Sequence, residues 1–181
     1  YKAQPPKATL LCAVEVPPEG GDPLFANATA AFAALSPAMQ MSLLGWQGLY
    51  SPKLVHGSGG FYKSDAAHEN LGAAYGGDSQ FAESEVMHPL IRTHEETGAR
   101  SIYCSRAHTV NIVGWNREES VPIFKFLEQH LTQAKFVTRF KWRNGSVAMW
   151  DNRCVFHNAV NDYKGYRRQM HRVIIKGDRP H

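Results

Sequence analysis

The feature that most constrains this chain is a succession of short β-prone runs filling its second half, broken by turn residues and interrupted by one helical pattern. Residues 87–93, 101–105, 109–113, 136–142, 146–150, 154–157 and 169–176 each hold a few β-branched or aromatic residues between polar breaks. Within that series, residues 118–132 differ. Val121, Phe124, Leu127 and Leu131 recur there at the spacing of one helix face. Asn144-Gly145 reads as a two-residue hairpin turn between two of the runs. Many short strands and few helices predict a mainly β fold of the sandwich or jelly-roll type, with flanking helices.

The first half adds the helices. Residues 9–16 form an apolar, partly β-branched run that reads as a buried strand. A turn cluster rich in Pro and Gly follows at 17–23. The Ala-rich residues 25–35 are expected to be helical. Ser36-Pro37 predicts a second helix, with Ser36 as N-cap and Pro37 in the first turn. Residues 51–85 are rich in Gly, Ser, Ala and Asp with little apolar periodicity, and read as a lid or a flexible insertion. There is no repeat, and residues 1–181 are read as one domain.

With 181 residues, 43% of them hydrophobic and 20% charged, the chain can bury a real core. No apolar run approaches the ~18 residues of a membrane span, so no membrane partner is expected. The start, Tyr1-Lys2-Ala3, is neither an initiator methionine nor a signal peptide and reads as a chain entered in the middle. Cys12, Cys104 and Cys154 fit no disulfide framework and no zinc pattern. They are expected to be reduced core residues of a cytoplasmic protein. The net charge of +4 suits an anionic small molecule or weak nucleic-acid contact. Homo-oligomer formation stays open.

Two segments could carry chemistry. The first is Trp150-Asp151-Asn152-Arg153-Cys154-Val155-Phe156-His157, a strand, a turn, and a second strand that delivers His157. A lone histidine is more often a satisfied structural residue than a ligand. The second is Arg167-Arg168-Gln169-Met170-His171-Arg172. In a strand, Arg168 and Arg172 share a face, because their separation is even. Two guanidiniums on an inward face repel unless they share an anion, and a carboxylate suits them in bidentate geometry. On spacing alone, both arginines pointing to solvent remains the simpler alternative.

These segments, with Asp162-Tyr163 and Gly177-Asp178-Arg179-Pro180, resemble the end of the taurine dioxygenase (TauD/TfdA) family, which also holds alkylsulfatase and aryloxyalkanoate dioxygenases. Pro5-Pro6, Glu15-Val16-Pro17-Pro18, Gly20-Gly21-Asp22 and the segment His88-Pro89-Leu90-Ile91-Arg92-Thr93-His94 look like further landmarks of that family, in family order. The resemblance implies a double-stranded β-helix, that is, a jelly-roll or cupin-like fold. It also implies an oxidoreductase in which two histidines and one carboxylate hold Fe(II), with 2-oxoglutarate as cosubstrate. Such an enzyme uses O₂ to oxidise a C–H bond of a small anionic substrate (a sulfonate, sulfate ester or aryloxyalkanoate) and releases succinate and CO₂. His157 matches the family's second histidine ligand. Arg168 matches the arginine on the distal carboxylate of 2-oxoglutarate. Arg172 matches an arginine near the other end of the cosubstrate or the anionic head of the substrate. His108 matches a substrate-pocket position, and a solvent-facing strand-edge histidine is the alternative there.

Two departures qualify the resemblance. The family's first two iron ligands, a His-x-Asp pair, should fall just before Tyr1, so the chain reads as the C-terminal portion of a longer jelly roll. His94-Glu95-Glu96 imitates His-x-carboxylate but matches a landmark that does not bind metal, and it reads as a decoy. Pro23 stands where the family usually has a threonine donor to the cosubstrate. The loss of a hydrogen bond to a charged group is worth roughly 1.5–3 kcal/mol. A non-catalytic jelly-roll binding protein without a complete iron site is the alternative reading. A nucleic-acid binder ranks last, because no nucleic-acid motif is present and no such partner is expected.

Overall fold

The computed structural model describes residues 2–56 and 84–181. β1 (Ala8–Glu15) is the central strand of a three-stranded antiparallel sheet, flanked by β11 (Gln169–Ile175) and β9 (Val147–Asp151). Leu11 pairs with Arg172 on one side and Ala148 on the other, and Thr9 pairs with Ile174 and Trp150. With side chains alternating, Ala13, Ala148, Trp150 and Met170 fall on one inward face. Val147, Met149 and Val173 fall on the outer face and are exposed.

A second antiparallel sheet has the order β10-β2-β8: β2 (Pro23–Asn27) between β10 (Val155–Ala159) and β8 (Val137–Arg139). Its two faces serve different cores. Phe25 and Val155 pack toward Trp150 of the first sheet. Ala26, Phe156 and Val137 turn to the larger core, built from Phe32, Leu43, Leu90, Ile102, Ile112, Phe124 and Leu127. That core also takes in a sheet of order β4-β3-β7, formed by β4 (Val86–Pro89), β3 (Gln47–Tyr50) and β7 (Thr109–Ile112). The two-stranded pair β5 (Ile91–Thr93) and β6 (Arg100–Ile102) adjoins it. The described residues thus form facing open sheets with helices behind one of them, a mainly β architecture without a closed barrel.

Among the described residues, four α-helices complete it: α1 (Ala28–Ala33), α2 (Pro37–Leu43), α3 (Lys53–His56) and α4 (Arg117–Leu131). α4 follows the expected periodicity, burying Phe124, Leu127 and Leu131. Asn116 caps it, accepting from the Glu119 amide at 2.8 Å, while the Glu119 carboxylate accepts from the Asn116 amide at 3.0 Å. Ser36 caps α2 as expected, accepting from the Met39 amide at 3.3 Å.

Three expectations are corrected. The helix expected over 25–35 is shorter, because residues 23–27 are the central strand of the second sheet. Cross-strand pairing with β10 outweighs the helical propensity of Phe25 and Ala26, and the helix begins only after Asn27 caps it. Asn144-Gly145 does not close a hairpin. β8 lies in the second sheet and β9 in the first, so the turn carries the chain between sheets. Asn144 Oδ1 accepts from the Val16 amide, and the Gly145 amide donates to Ala13 O at 2.8 Å, tying the turn to β1. Cys104 is a buried free thiol, its pKa pushed up to about 12 by burial, but Cys12 and Cys154 are only half-buried. Most of the expected lid, 57–83, lies outside the described residues. No helix among the described residues is long and apolar enough to cross a membrane.

Candidate active site between two facing sheets

His157 sits at the middle of β10, opposite Phe25 of β2. Directly paired residues of an antiparallel ladder point to the same side, and here that side faces the first sheet. The indole of Trp150 meets both, with ring centroids 4.8 Å from His157 and 5.2 Å from Phe25. The residue is solvent-exposed, while the Trp150 ring and the packed sheet crowd its imidazole. That crowding, with the positive charge of Arg172 second, lowers its pKa below the ordinary histidine value and favours the neutral, ligand-competent ring.

Arg172 reaches this space from the opposite wall. It shares a parity with Met170, whose side chain joins the inward core of the first sheet. Arg168 stands one residue before β11 begins. Its guanidinium lies 5.7 Å from the centre of the Tyr163 ring. Its Nε is enclosed with no hydrogen-bond partner among the described residues, as is the indole Nε1 of Trp150. An enclosed N–H without an acceptor is costly, so two such donors on one wall suit a polar occupant.

The turn at Gly20-Gly21 makes room for Arg168. Both glycines have positive φ, +79° and +70°. A Cβ at Gly21 would lie 3.1 Å from Arg168 Cδ, so only glycine serves here. Asp22, next in sequence, is buried and accepts from the Trp142 amide and from Arg139 Nε, both at 3.0 Å. Pro23 is buried opposite Ala159, on the same side of its sheet as His157.

His94 and its neighbours occupy a different place. His94 Nε2 lies 3.1 Å from Asp151 Oδ2, and its Nδ1 accepts from the Glu96 and Thr97 amides. Arg153, 6% exposed, binds Asp151, Glu95 and Glu96 at once. Arg92 also binds Glu95. Partial burial raises the carboxyls of Glu95 and Asp151, but hydrogen bonds and charge from Arg92 and Arg153 outweigh it. Both end at about 2. Among the described residues, His94, Asp151 and Cys154 are the one trio of metal-ligating groups within mutual reach. Asp151 already spends its oxygens on Arg153 and His94. The trio is a structural clamp on the β9–β10 turn.

His108 precedes β7, in the third sheet rather than in either wall around His157. Its carbonyl accepts from the Ser51 amide at 2.8 Å. Arg139 carried no sequence signal: it acts through partners at positions 22 and 162, far from it in the chain.

A family model described as "Taurine catabolism dioxygenase TauD, TfdA family" matches residues 1–174. The chain belongs to that family. An alpha-ketoglutarate-dependent sulfonate dioxygenase of Saccharomyces cerevisiae is 33% identical over 99% of this chain and 41% of its own length. The alpha-ketoglutarate-dependent 2,4-dichlorophenoxyacetate dioxygenase of Cupriavidus pinatubonensis is 32% identical over 94% of the chain and 55% of its own length. A solved taurine dioxygenase from Burkholderia xenovorans superposes with a TM-score of 0.78 at 32% identity, covering 98% of this chain and 55% of that one. The chain thus spans about half the length of these TauD/TfdA relatives and carries their jelly-roll wall.

The residues of that wall fit the groups such enzymes use. One neutral imidazole suits Fe(II) as a single ligand. The two guanidiniums, one with an enclosed unpartnered Nε, suit an anionic cosubstrate.

Proposed function

We propose that the protein to which this chain belongs is an Fe(II)- and 2-oxoglutarate-dependent dioxygenase that oxidises a C–H bond of a small anionic organic substrate. The observation that carries this reading is the opposition of His157 on one sheet to Arg172 on the other, with Arg168 entering the strand that bears Arg172. His157 is the proposed ligand from this chain. Arg168 is the proposed partner of the distal carboxylate of 2-oxoglutarate, and Arg172 serves the cosubstrate or the substrate anion. When bound, iron with 2-oxoglutarate and O₂ supplies the oxidising power, and the protein supplies position and exclusion.

The chain's own residues then do three things. Trp150, itself packed against Phe25, lies against the imidazole of His157 and limits how the ring can turn. The guanidiniums orient an anion and contribute charge no neutral donor could match. The apolar wall of Trp150, Ala148 and Met170 keeps water from one side of the reacting groups. Pro23 donates no hydrogen bond, so Arg168 bears more of the cosubstrate's charge here than it would beside a threonine.

Sulfonates, sulfate esters and aryloxyalkanoates are the proposed substrate classes, since the relatives' names include a sulfonate and an aryloxyacetate. His108 is a proposed substrate contact on the family match alone, since it lies beside the third sheet and not in the walls around His157. A cytoplasmic location agrees with three unpaired cysteines. The test is succinate formation by the full-length protein with Fe(II), 2-oxoglutarate, O₂ and a panel of these acids. Substrate-dependent succinate is expected, and its absence across the panel with iron bound would refute the reading. A second reading is a jelly-roll binding protein without turnover. It predicts anion binding without succinate.

A further inference from the structure

Arg168 is a long, flexible side chain standing outside its strand, and something must fix where its guanidinium points. Two surfaces confine it: the open Cα of Gly21 on one side and the ring of Tyr163 on the other. Both surfaces are joined through one residue. Asp162 Oδ1 accepts from the Gly21 amide at 2.7 Å. Asp162 is also the chain neighbour of Tyr163, and its carbonyl lies against Gly20, where a Cβ would sit 2.5 Å away.

A second contact braces the first. Asp162 Oδ2 accepts from Arg139 Nη2 at 3.0 Å, and the same guanidinium donates through Nε to buried Asp22 at 3.0 Å. Asp22 in turn holds the Trp142 amide, and its carbonyl accepts from the Val160 amide at 3.3 Å. Residues 20–22 and 160–163, far apart in sequence, are therefore riveted together directly beneath Arg168. Asp162 and Arg139 are both about two-fifths exposed, so their ion pair is weak by itself. The bond from the Gly21 amide is the tighter restraint.

We infer that Asp162 is a positioning residue for Arg168, and through it sets how tightly the protein holds the distal carboxylate of its cosubstrate. The inference rests on the dioxygenase reading, since it takes the anion at Arg168 to be that carboxylate. Asp162 itself touches neither cosubstrate nor iron. It keeps Gly21 and Tyr163 at the separation that leaves Arg168 one path. Without it the arginine gains other rotamers, and each anion-binding event must first remove them.

The test uses the full-length protein with Mn(II) in place of iron, titrated calorimetrically with 2-oxoglutarate and with its unreactive analogue N-oxalylglycine. Asp162→Ala is expected to weaken both about tenfold. At saturating 2-oxoglutarate its kcat should stay within about twofold of wild type, with the loss confined to KM. Asp162→Asn keeps an acceptor for the Gly21 amide and should recover affinity to within about threefold. An Asp162→Ala protein that binds as tightly as wild type, or that loses kcat and not affinity, overturns the inference. If that variant does not fold, Asp162→Glu decides. It keeps the charge facing Arg139 but moves the carboxylate off Gly21, so weakened binding supports the role and unchanged binding ends it. A wild type that binds no 2-oxoglutarate at all overturns the dioxygenase reading first, and this inference with it.

Discussion

The indole of Trp150 rests against both members of a cross-strand pair on the facing sheet, 4.8 Å from the ring of His157 and 5.2 Å from that of Phe25. One buried side chain therefore supports the proposed ligand and closes the core behind it. Trp150→Ala should cost about 3–5 kcal/mol through the cavity it leaves. Trp150→Phe should cost less, on the order of 1–2 kcal/mol, because most of the wall survives. Urea unfolding gives both numbers. Metal titration should show weaker binding for the alanine variant and near-normal binding for the phenylalanine variant.

Arg153 should be the residue whose loss most damages the fold without touching the site. It is buried and faces three carboxylates, so Arg153→Ala strands negative charge in a partly desolvated place. A cost of about 3 kcal/mol is expected, the lower end of the range for broken buried pairs, since one partner, Glu96, stays well solvated. A melting temperature unchanged in Arg153→Ala would contradict the role.

Acid sensitivity should follow from the same cluster. Asp151 and Glu95 titrate at about 2 in the folded chain, below their unfolded values near 4. Groups depressed in this way stabilise the fold above the unfolded pKa and lose that contribution as pH falls through the folded one. Stability should therefore be flat from neutrality to roughly pH 4.5 and fall steeply between about 4 and 2. Removing Arg153 should move the acid midpoint upward, which circular dichroism against pH would show.

Gly177 should not tolerate a side chain. A Cβ there would lie 2.2 Å from the Pro5 carbonyl oxygen and 2.7 Å from the Lys7 nitrogen, both backbone atoms. Gly177→Ala must push the strand exit away from residues 5–7, at a cost of about 1–3 kcal/mol. Denaturant midpoints would measure it, and an unperturbed midpoint would show that the exit is free to shift.

Arg168→Lys should weaken 2-oxoglutarate binding about tenfold or more despite keeping the charge. Lysine has neither the planar fork nor the ring stacking that Arg168 makes over Tyr163. Calorimetric titration distinguishes this from a general loss of folding.

Much of the architecture was legible in order and type. The α4 stripe and the Ser36 cap declare themselves locally, because each is decided within a few residues. Phe25 and Ala26 did not, since their helical propensity yields to pairing with a strand some 130 residues downstream. Asn144-Gly145 has the composition of a hairpin turn, yet composition cannot say whether the strands it joins will share a sheet. The proposed site residues His157, Arg168 and Arg172 stand out in the sequence only through the family resemblance of the segments that carry them. What orients them was not legible: Trp150, Gly21 and Asp162 act through space, across pairings that no local pattern encodes.

His157 rides on one sheet and Arg172 on the other, so the two jaws of the site belong to separate rigid plates. Their gap is set by the apolar spacer between the plates, Phe25, Trp150 and Met170, in the manner of a shim. Bite is thus governed by residues that carry no charge. An exchange of Met170 for leucine or isoleucine would retune the gap between the plates without altering a single polar group. Under the proposed dioxygenase reading, selectivity among short and long oxo acids can therefore drift through the core while the charged residues stay the same.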